Sequence, residues 1–139
     1  MSIDTAAAEI RDEFDFLDDW EARYAHIIDL GKANPGLPAP AKVDQNRVRG
    51  CASQVWMVTR PENDALHIEA ESDAMIVSGL IALLTRLFSG ARAADILAFD
   101  PQAFFDEIGV SGALSAQRSN GLASMIARIR SEANALANA

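Results

Sequence analysis

The chain has 139 residues, half of them hydrophobic, and a formal net charge of -8 at pH 7. This length suits a single domain with its own hydrophobic core, which we expect to cover residues 1–139. An acidic chain lacks the positive charge that phosphate binding needs, so nucleic acid is excluded as the main partner.

The first predicted element is an amphipathic helix beginning near Leu17. Its apolar positions recur every three or four residues, the spacing of one helical face: Leu17, Trp20, Tyr24, Ile27 and Ile28. We expect Trp20 and Tyr24 in the core, and the nine acidic residues of the segment 1–30 on a solvated helix face. The helix is predicted to end near Gly31 or Asn34, since Pro35 opens a proline-rich, extended connection.

A β-hairpin is predicted next. Residues 55–59 are β-branched, aromatic and apolar, and the turn signal PEND follows them. The segment ALHIEAE then alternates, with Leu66, Ile68 and Ala70 on one face. We expect two antiparallel strands with one wet face, Trp56 half-buried on the first, and a third short strand around residues 47–49.

Four helices are predicted after the hairpin. Ser72 is a suitable N-cap for an apolar helix that ends at Ser89 and Gly90 and should be central. Short helices are expected over residues 93–98 and after Asp100, the latter with Pro101 in its first turn and Gly109 at its end. The last helix runs from about residue 116 into the alanine-rich tail. This order predicts an α+β fold, in which helices pack against a small three-stranded antiparallel sheet.

Motifs for several kinds of chemistry are missing from the sequence. It has no glycine-rich phosphate loop, no nucleophile elbow and no His-Glu-x-x-His helix. His26 and His67 fall in different elements, which does not favour a metal site. Glu69, Glu71 and Asp73 are interpreted as a solvated face and a helix start, so we expect neither cofactor nor metal.

The single cysteine, Cys51, bears on location. One cysteine allows no disulfide within the chain, and no apolar N-terminal segment flanked by basic residues precedes the first helix. The longest apolar stretch, residues 74–84, is too short to cross a bilayer. We therefore expect a cytoplasmic protein without a membrane partner.

Two interpretations of Cys51 remain open from the residues alone, a small buried hydrophobe or a nucleophile. Gly50 before it permits unusual backbone conformations, and small residues after it leave room for a reactant. Lys42, Arg47 and Arg49 could lower the thiol pKa if they lie near it. No general base is adjacent, so a hydrolase would need a distant histidine, whereas a sulfur carrier needs only a reachable thiolate.

Four segments of the sequence carry a family signature. They are WEARYAHIIDLGK (20–32), NRVRGCASQVWMV (46–58), ESDAMIVSGLIALL (71–84) and LSAQRSNGLASMIARI (114–129). In this order and spacing they resemble the SufE family of sulfur acceptors, whose signature is usually Asn-x-Val-x-Gly-Cys-x-Ser-Gln-Val-Trp. The resemblance covers about residues 15–130.

The resemblance implies a function and a fold. Cys51 would accept persulfide sulfur from a pyridoxal-phosphate cysteine desulfurase of the SufS type, stimulate that enzyme, and pass the sulfur towards an iron–sulfur scaffold. Asp73 and Arg118 would lie near the acceptor loop, with Gly50 and Gln54 supporting the loop or the partner complex. The implied fold is that of IscU-type scaffolds, but cluster binding does not transfer because it needs several thiolates and this chain has one.

Two alternatives and one departure accompany this interpretation. The chain could be a non-catalytic adaptor that docks a desulfurase and carries an incidental thiol, or, less favoured, a cysteine hydrolase that turns over alone. Ala52 stands where many family members have Gln, which removes a polar contact but not the nucleophile. The sequence leaves open which desulfurase binds, where the sulfur goes, the oligomeric state, and whether Cys51 is buried at rest.

Overall fold

The computed structural model describes residues 2–139 and has the predicted α+β architecture. Its α-helices and strands follow in the order α1 (Ile3–Asp15), α2 (Trp20–Lys32), β1 (Val55–Glu62), β2 (Ala65–Ser72), α3 (Met75–Phe88), β3 (Ala91–Arg92), α4 (Ala93–Ala98), α5 (Pro101–Glu107) and α6 (Ala116–Ala137). The strands form one antiparallel sheet in the order β1-β2-β3. The predicted fold class is thus confirmed.

The hairpin forms as its alternation predicts. Strands β1 and β2 pair from Val55 opposite Ser72 to Glu62 opposite Ala65. Leu66, Ile68 and Ala70 are buried on the inner face, while the side chains between them are more exposed. The sheet therefore has one face against the core and one towards solvent.

The third strand lies elsewhere than predicted. Strand β3 pairs with the outer edge of β2, whereas the segment 47–49 forms no strand. Arg47 makes only an isolated bridge to Trp56, and the Val48 N–H donates to the Val55 carbonyl at 2.9 Å. Gly50, with φ +91, then turns the chain away from β1. Pairing along the β1 edge stops after these contacts, so the prediction was wrong.

Helix α3 is central, as its apolar composition predicts. Ten of its residues are buried: Ile76, Val77, Ser78, Gly79, Leu80, Ile81, Leu83, Leu84, Leu87 and Phe88. The predicted N-cap was wrong, because Ser72 stays paired in β2 and the helix begins at Met75 after Ala74. Ser72 instead accepts the Ala74 N–H on its Oγ at 3.1 Å and closes the turn into the helix.

The N-terminal region holds two helices where the hydrophobic spacing predicted one. Helix α1 buries a face that ends at Phe14, and α2 begins at Trp20 with Asp19 as its N-cap. Tyr24 packs half-buried against the core, but Trp20 is 57% exposed, contrary to prediction. The contact between α2 and α3 centres on Ile27, about two turns further on, which leaves the first turn of α2 uncovered.

Helices α2 and α3 approach closely because each has a glycine at the crossing. A Cβ on Gly31 would lie 2.8 Å from the Gly79 nitrogen. A Cβ on Gly79 would lie 2.5 Å from Ile27 Cγ2 and would collide with the Ile27 carbonyl. The crossing places the buried start of α3 beside the segment that carries Cys51.

We expect Gly79→Ala to lower the free energy of unfolding by about 3 kcal/mol, because backbone atoms of α2 must move to admit the methyl group. Urea denaturation followed by circular dichroism measures this change. The matched control is Gly112→Ala, since a Cβ there meets nothing within 4 Å. Equal stability of the two variants would contradict the close crossing.

Candidate functional site

Cys51 lies in a short loop, residues 49–54, that is closed at its base. On one side, the Val48 N–H bonds to the Val55 carbonyl. On the other, the Gln54 N–H donates to Asp73 Oδ1 at 3.0 Å and the Asp73 N–H donates to the Gln54 carbonyl at 3.3 Å. The loop thus joins the edge of the sheet to the turn before α3, and Asp73 acts there rather than as a helix cap.

Gly50 allows the loop to lie against α6. Its φ of +91 falls in the left-handed region that favours glycine. A Cβ at this position would also lie 2.5 Å from Ser124 Oγ. The backbone conformation therefore favours glycine immediately before the cysteine, and Ser124 Oγ occupies the space where a Cβ would lie.

The Cys51 side chain is half-buried and packs against the backbone of α6. Its thiol is 3.6 Å from the Gly121 carbonyl oxygen, a weak donor contact. A Cβ on Gly121 would lie 3.7 Å from Cys51 Sγ, an ordinary contact distance, so the sulfur packs directly beside this turn of the helix. The resting thiol therefore points inward rather than into solvent.

A cavity of about 110 Å³ adjoins Cys51. Its buried apolar wall comes from α3 and α6: Val77, Leu80, Leu122 and Met125. The exposed residues Gln117 and Arg118, on the first turn of α6, also line it. The thiol thus lies between an apolar interior and a polar mouth.

Burial sets the acidity of the thiol. Loss of hydration raises the pKa of Cys51, and the positive charge of Arg47 opposes this rise only in part. Of the three cations considered from the sequence, Arg47 alone lowers the pKa of the thiol. Lys42 pairs with Glu71 at 3.0 Å and Arg49 pairs with Asp44 at 3.0 Å, so both are engaged elsewhere.

Arg47 remains the cation that acts on the thiol. Its guanidinium lies 5.9 Å from the ring centroid of Trp56, which is half-buried as predicted, and Lys42 Nζ lies 6.0 Å from the same ring. Within residues 2–139 Arg47 forms no ion pair, and its buried Nε has no hydrogen-bond partner. Among the described residues, its charge is therefore unpaired and can act on the thiol.

The carboxylate of Glu71 is bound rather than solvated, which corrects the sequence interpretation. It accepts the Leu37 N–H at 2.8 Å and pairs with Lys42. These contacts, the Leu37 bond first, lower the pKa of Glu71. The proline-rich connection is thereby fixed to β2 on the side of the sheet that leads into the Cys51 loop.

The structure brings the predicted site residues together around one loop. Gly50 and Gln54 belong to the loop. Asp73 accepts a hydrogen bond from the Gln54 N–H at the end of the loop, and Arg118 lies exposed at the cavity mouth. Their roles toward a partner protein stay predictions.

Residues of α6 that contact the loop were missed. Gly121 and Ser124 touch the loop, and Arg128 reaches its base. They lie about 70 positions from Cys51, and their common spacing on one helical face was the available signal.

The histidines are absent from the lining of the cavity. His26 contacts Glu13 at 3.2 Å on the outer helices, and His67 contacts Glu69 at 3.4 Å on the sheet. Across residues 2–139, no three or more His, Cys, Asp or Glu side chains are grouped to hold a metal ion. Among the same residues, no helix combines the length and the apolar character needed to traverse a bilayer. The site has a thiol but no adjacent histidine base.

These features define a class of protein: a small α+β chain that presents one half-buried thiol on a closed loop above an apolar cavity. Comparison with known proteins gives the family. The SufE family, described as "Fe-S metabolism associated domain", matches residues 8–133. The chain belongs to the SufE family.

Two relatives align over most of their length. An uncharacterized SufE-like protein of Rhizobium meliloti (strain 1021) is 50% identical over 133 residues, which cover 93% of this chain and 95% of the relative. The sulfur acceptor protein CsdE of Escherichia coli (strain K12) is 41% identical over 120 residues, covering 85% and 82%.

A solved structure shares the fold. It is the solution structure of a hypothetical protein from Thermus thermophilus, with a TM-score of 0.78 and 17% identity. The match covers 96% of this chain and 97% of the other. The likeness supports the fold of the chain and says nothing further about its chemistry.

The alkylation rate of native Cys51 should rise with pH at a midpoint above that of the urea-unfolded chain, because burial disfavours the thiolate. The native state therefore holds the thiol proton more tightly than the unfolded chain does. The free energy of unfolding is accordingly highest below the unfolded pKa of the thiol and falls as pH rises through the folded pKa. Iodoacetamide modification followed by mass spectrometry measures both midpoints.

The variant Arg47→Gln serves as the control for this measurement. It removes the positive charge that opposes burial, so its native midpoint should move higher still. A native midpoint at or below that of the unfolded chain would contradict the burial argument.

Proposed function

We propose that this chain accepts a sulfur atom on Cys51 from the persulfide of a pyridoxal-phosphate cysteine desulfurase of the SufS type, and so stimulates that enzyme. The observation that carries the proposal is a solitary loop thiol beside a cavity, in a chain of the SufE family. A relative named sulfur acceptor protein, at 41% identity, supports it. Transfer onward would be to an iron–sulfur scaffold.

The transfer is an exchange between sulfur atoms. The Cys51 thiolate attacks the outer sulfur of the enzyme persulfide, a new S–S bond forms on Cys51, and the enzyme's cysteine leaves as a thiolate. The proton lost by Cys51 is balanced by the one that the leaving thiolate takes up. The Cys51 sulfur is oxidised to the persulfide level while the enzyme's cysteine sulfur is reduced to a thiol, so the exchange balances without another oxidant or reductant.

The reaction requires the thiol to leave its resting place. At rest the pKa of Cys51 is raised by burial, which disfavours the nucleophile. In the proposed complex the loop moves outward about its base, where Val48 and Gln54 are bonded, and the thiol regains hydration. The residues in and beside the moving loop are proposed to contact the desulfurase: Gly50, Gln54, Asp73 and Arg118.

The cavity offers a place for the sulfur after transfer. A water molecule occupies about 30 Å³ of liquid, and a sulfur atom is of similar size, so a cavity of about 110 Å³ has room for one. Its wall is apolar and buried on α3 and α6. A persulfide that returns there would be kept from stray oxidants and thiols until the next acceptor binds.

The test compares the wild-type chain with Cys51→Ser, each incubated with a cysteine desulfurase, pyridoxal phosphate and L-cysteine. The wild type should stimulate cysteine turnover and gain the mass of one sulfur, which a reductant removes. The variant should still bind the enzyme but show neither effect, because it has no sulfur nucleophile. Intact-protein mass spectrometry and alanine release provide the readouts.

An adaptor with an incidental thiol gives the opposite result. Cys51→Ser would then retain most of the stimulation. Wild-type chain that binds the desulfurase without gaining mass would likewise overturn the carrier mechanism. Turnover of a substrate with no partner protein present would indicate the cysteine hydrolase instead.

A further inference from the structure

One face of α6 supports the Cys51 segment at three successive points. Gly121, Ser124 and Arg128 are spaced by three and four residues, so they lie in a row along the helix. Gly121 lies under Cys51, Ser124 lies against Gly50, and Arg128 reaches Arg47. The chain from 47 to 51 therefore runs along this row, opposite in direction to the helix.

The first two contacts are mainly packing contacts between the loop and the helix. Gly121 offers only its backbone to Cys51, and Ser124 fills the space beside Gly50, where a Cβ would lie 2.5 Å from its Oγ. Such contacts define where the loop fits but provide little directional attraction. A directional hydrogen bond is needed to keep the loop aligned with the helix.

Arg128 supplies a directional bond. Its Nη1 donates to the Arg47 carbonyl oxygen at 3.3 Å. Its Nε donates to Glu132 Oε1 at 3.2 Å, one helical turn further on, which orients the guanidinium. Within residues 2–139, no other α6 side chain forms a hydrogen bond to the segment 47–54.

The bonded carbonyl is at the base of the loop. Arg47 also makes the bridge to Trp56, and the next residue, Val48, donates to Val55. A hydrogen bond to the Arg47 carbonyl therefore fixes the backbone segment that leads into Cys51. It also fixes the backbone from which the Arg47 guanidinium extends over Trp56.

We propose that Arg128, oriented by Glu132, is a positioning residue that holds the Cys51 loop on α6 and keeps the thiol beside its cavity. It touches neither the sulfur nor a substrate, and it acts through Arg47. The biological meaning of this role rests on the proposed function. The positioning itself is a property of the free protein.

Arg130 provides a matched control on the same helix. It is also partly buried, and it donates to the carbonyl oxygens of Phe99 and Leu97 at 3.2 Å each. Arg128→Met and Arg130→Met thus each remove main-chain hydrogen bonds made by an α6 arginine. Only Arg128→Met removes a bond to the base of the Cys51 loop. A general loss of stability would affect both variants, whereas loss of loop positioning would affect Arg128→Met alone.

The experiment measures amide hydrogen exchange of residues 49–54 and iodoacetamide alkylation of Cys51 against pH, in the free proteins. In Arg128→Met, alkylation at neutral pH and exchange in the loop should be faster by about tenfold, the scale expected for loss of a charged hydrogen bond. The alkylation midpoint should move downward, since the released thiol is better hydrated. Arg130→Met should match the wild type in both measurements, even if urea unfolds it more easily.

Two outcomes would overturn the proposal: Arg128→Met with the wild-type exchange and alkylation profile, or both variants altered equally. If Arg128→Met does not fold, Arg128→Lys and Glu132→Gln replace it. Arg128→Lys keeps a hydrogen-bond donor but lacks the planar guanidinium group. Both Arg128→Lys and Glu132→Gln should partially release the loop from α6. Wild-type loop exchange and alkylation in these two variants would also contradict the proposal.

The outcome is separable from that of the proposed function. Failure of the wild-type chain to gain sulfur from a desulfurase would refute sulfur transfer without changing exchange in the free loop. Unchanged exchange and alkylation in Arg128→Met would refute the positioning role even if sulfur transfer is observed.

Discussion

The whole site depends on the packing of the Cys51 loop against α6, where the thiol lies 3.6 Å from the Gly121 carbonyl oxygen. The chain turns towards α6 at Gly50, whose φ of +91° lies in the left-handed region. The loop must then close against the sheet edge and the turn before α3, which the bonds at Val48 and Gln54 achieve. Helix α3 completes the cavity because its apolar start lies beside the same loop.

This arrangement protects the thiol but also restrains it. Half-burial raises the pKa of Cys51 and so disfavours the reactive thiolate at rest. The hydrogen bonds that hold the loop contribute about 1 kcal/mol each. Releasing the loop therefore costs a few kcal/mol. A protein interface of micromolar affinity, with about 8 kcal/mol of binding free energy, can offset that cost.

The sequence predicted the parts of the fold that depend on local periodicity. Alternation at Leu66, Ile68 and Ala70 predicted the hairpin, and the apolar run after Ala74 predicted the central helix. Features that depend on distant partners were missed. The edge on which the third strand pairs and the exposure of Trp20 follow from packing between elements, which one segment does not reveal.

The site shows the same division between local and distant information. A solitary cysteine within a family signature identified the candidate acceptor residue. The direction of its pKa shift was left open by the sequence, because it depends on burial by α3 and α6, which outweighs the positive charge of Arg47. The supporting row on α6 lies about 70 positions away, so its spacing acquires meaning only when the contact with the loop is known.

Cyanolysis of the persulfide form measures whether the folded chain shelters the transferred sulfur on Cys51, as proposed. Cyanide attacks the outer sulfur, leaves as thiocyanate and returns the Cys51 thiolate. If the cavity holds that sulfur, thiocyanate should form more slowly from the native persulfide than from the same protein unfolded in urea. Equal rates in the native and unfolded states would contradict the account, because the transferred sulfur would then be exposed to solvent.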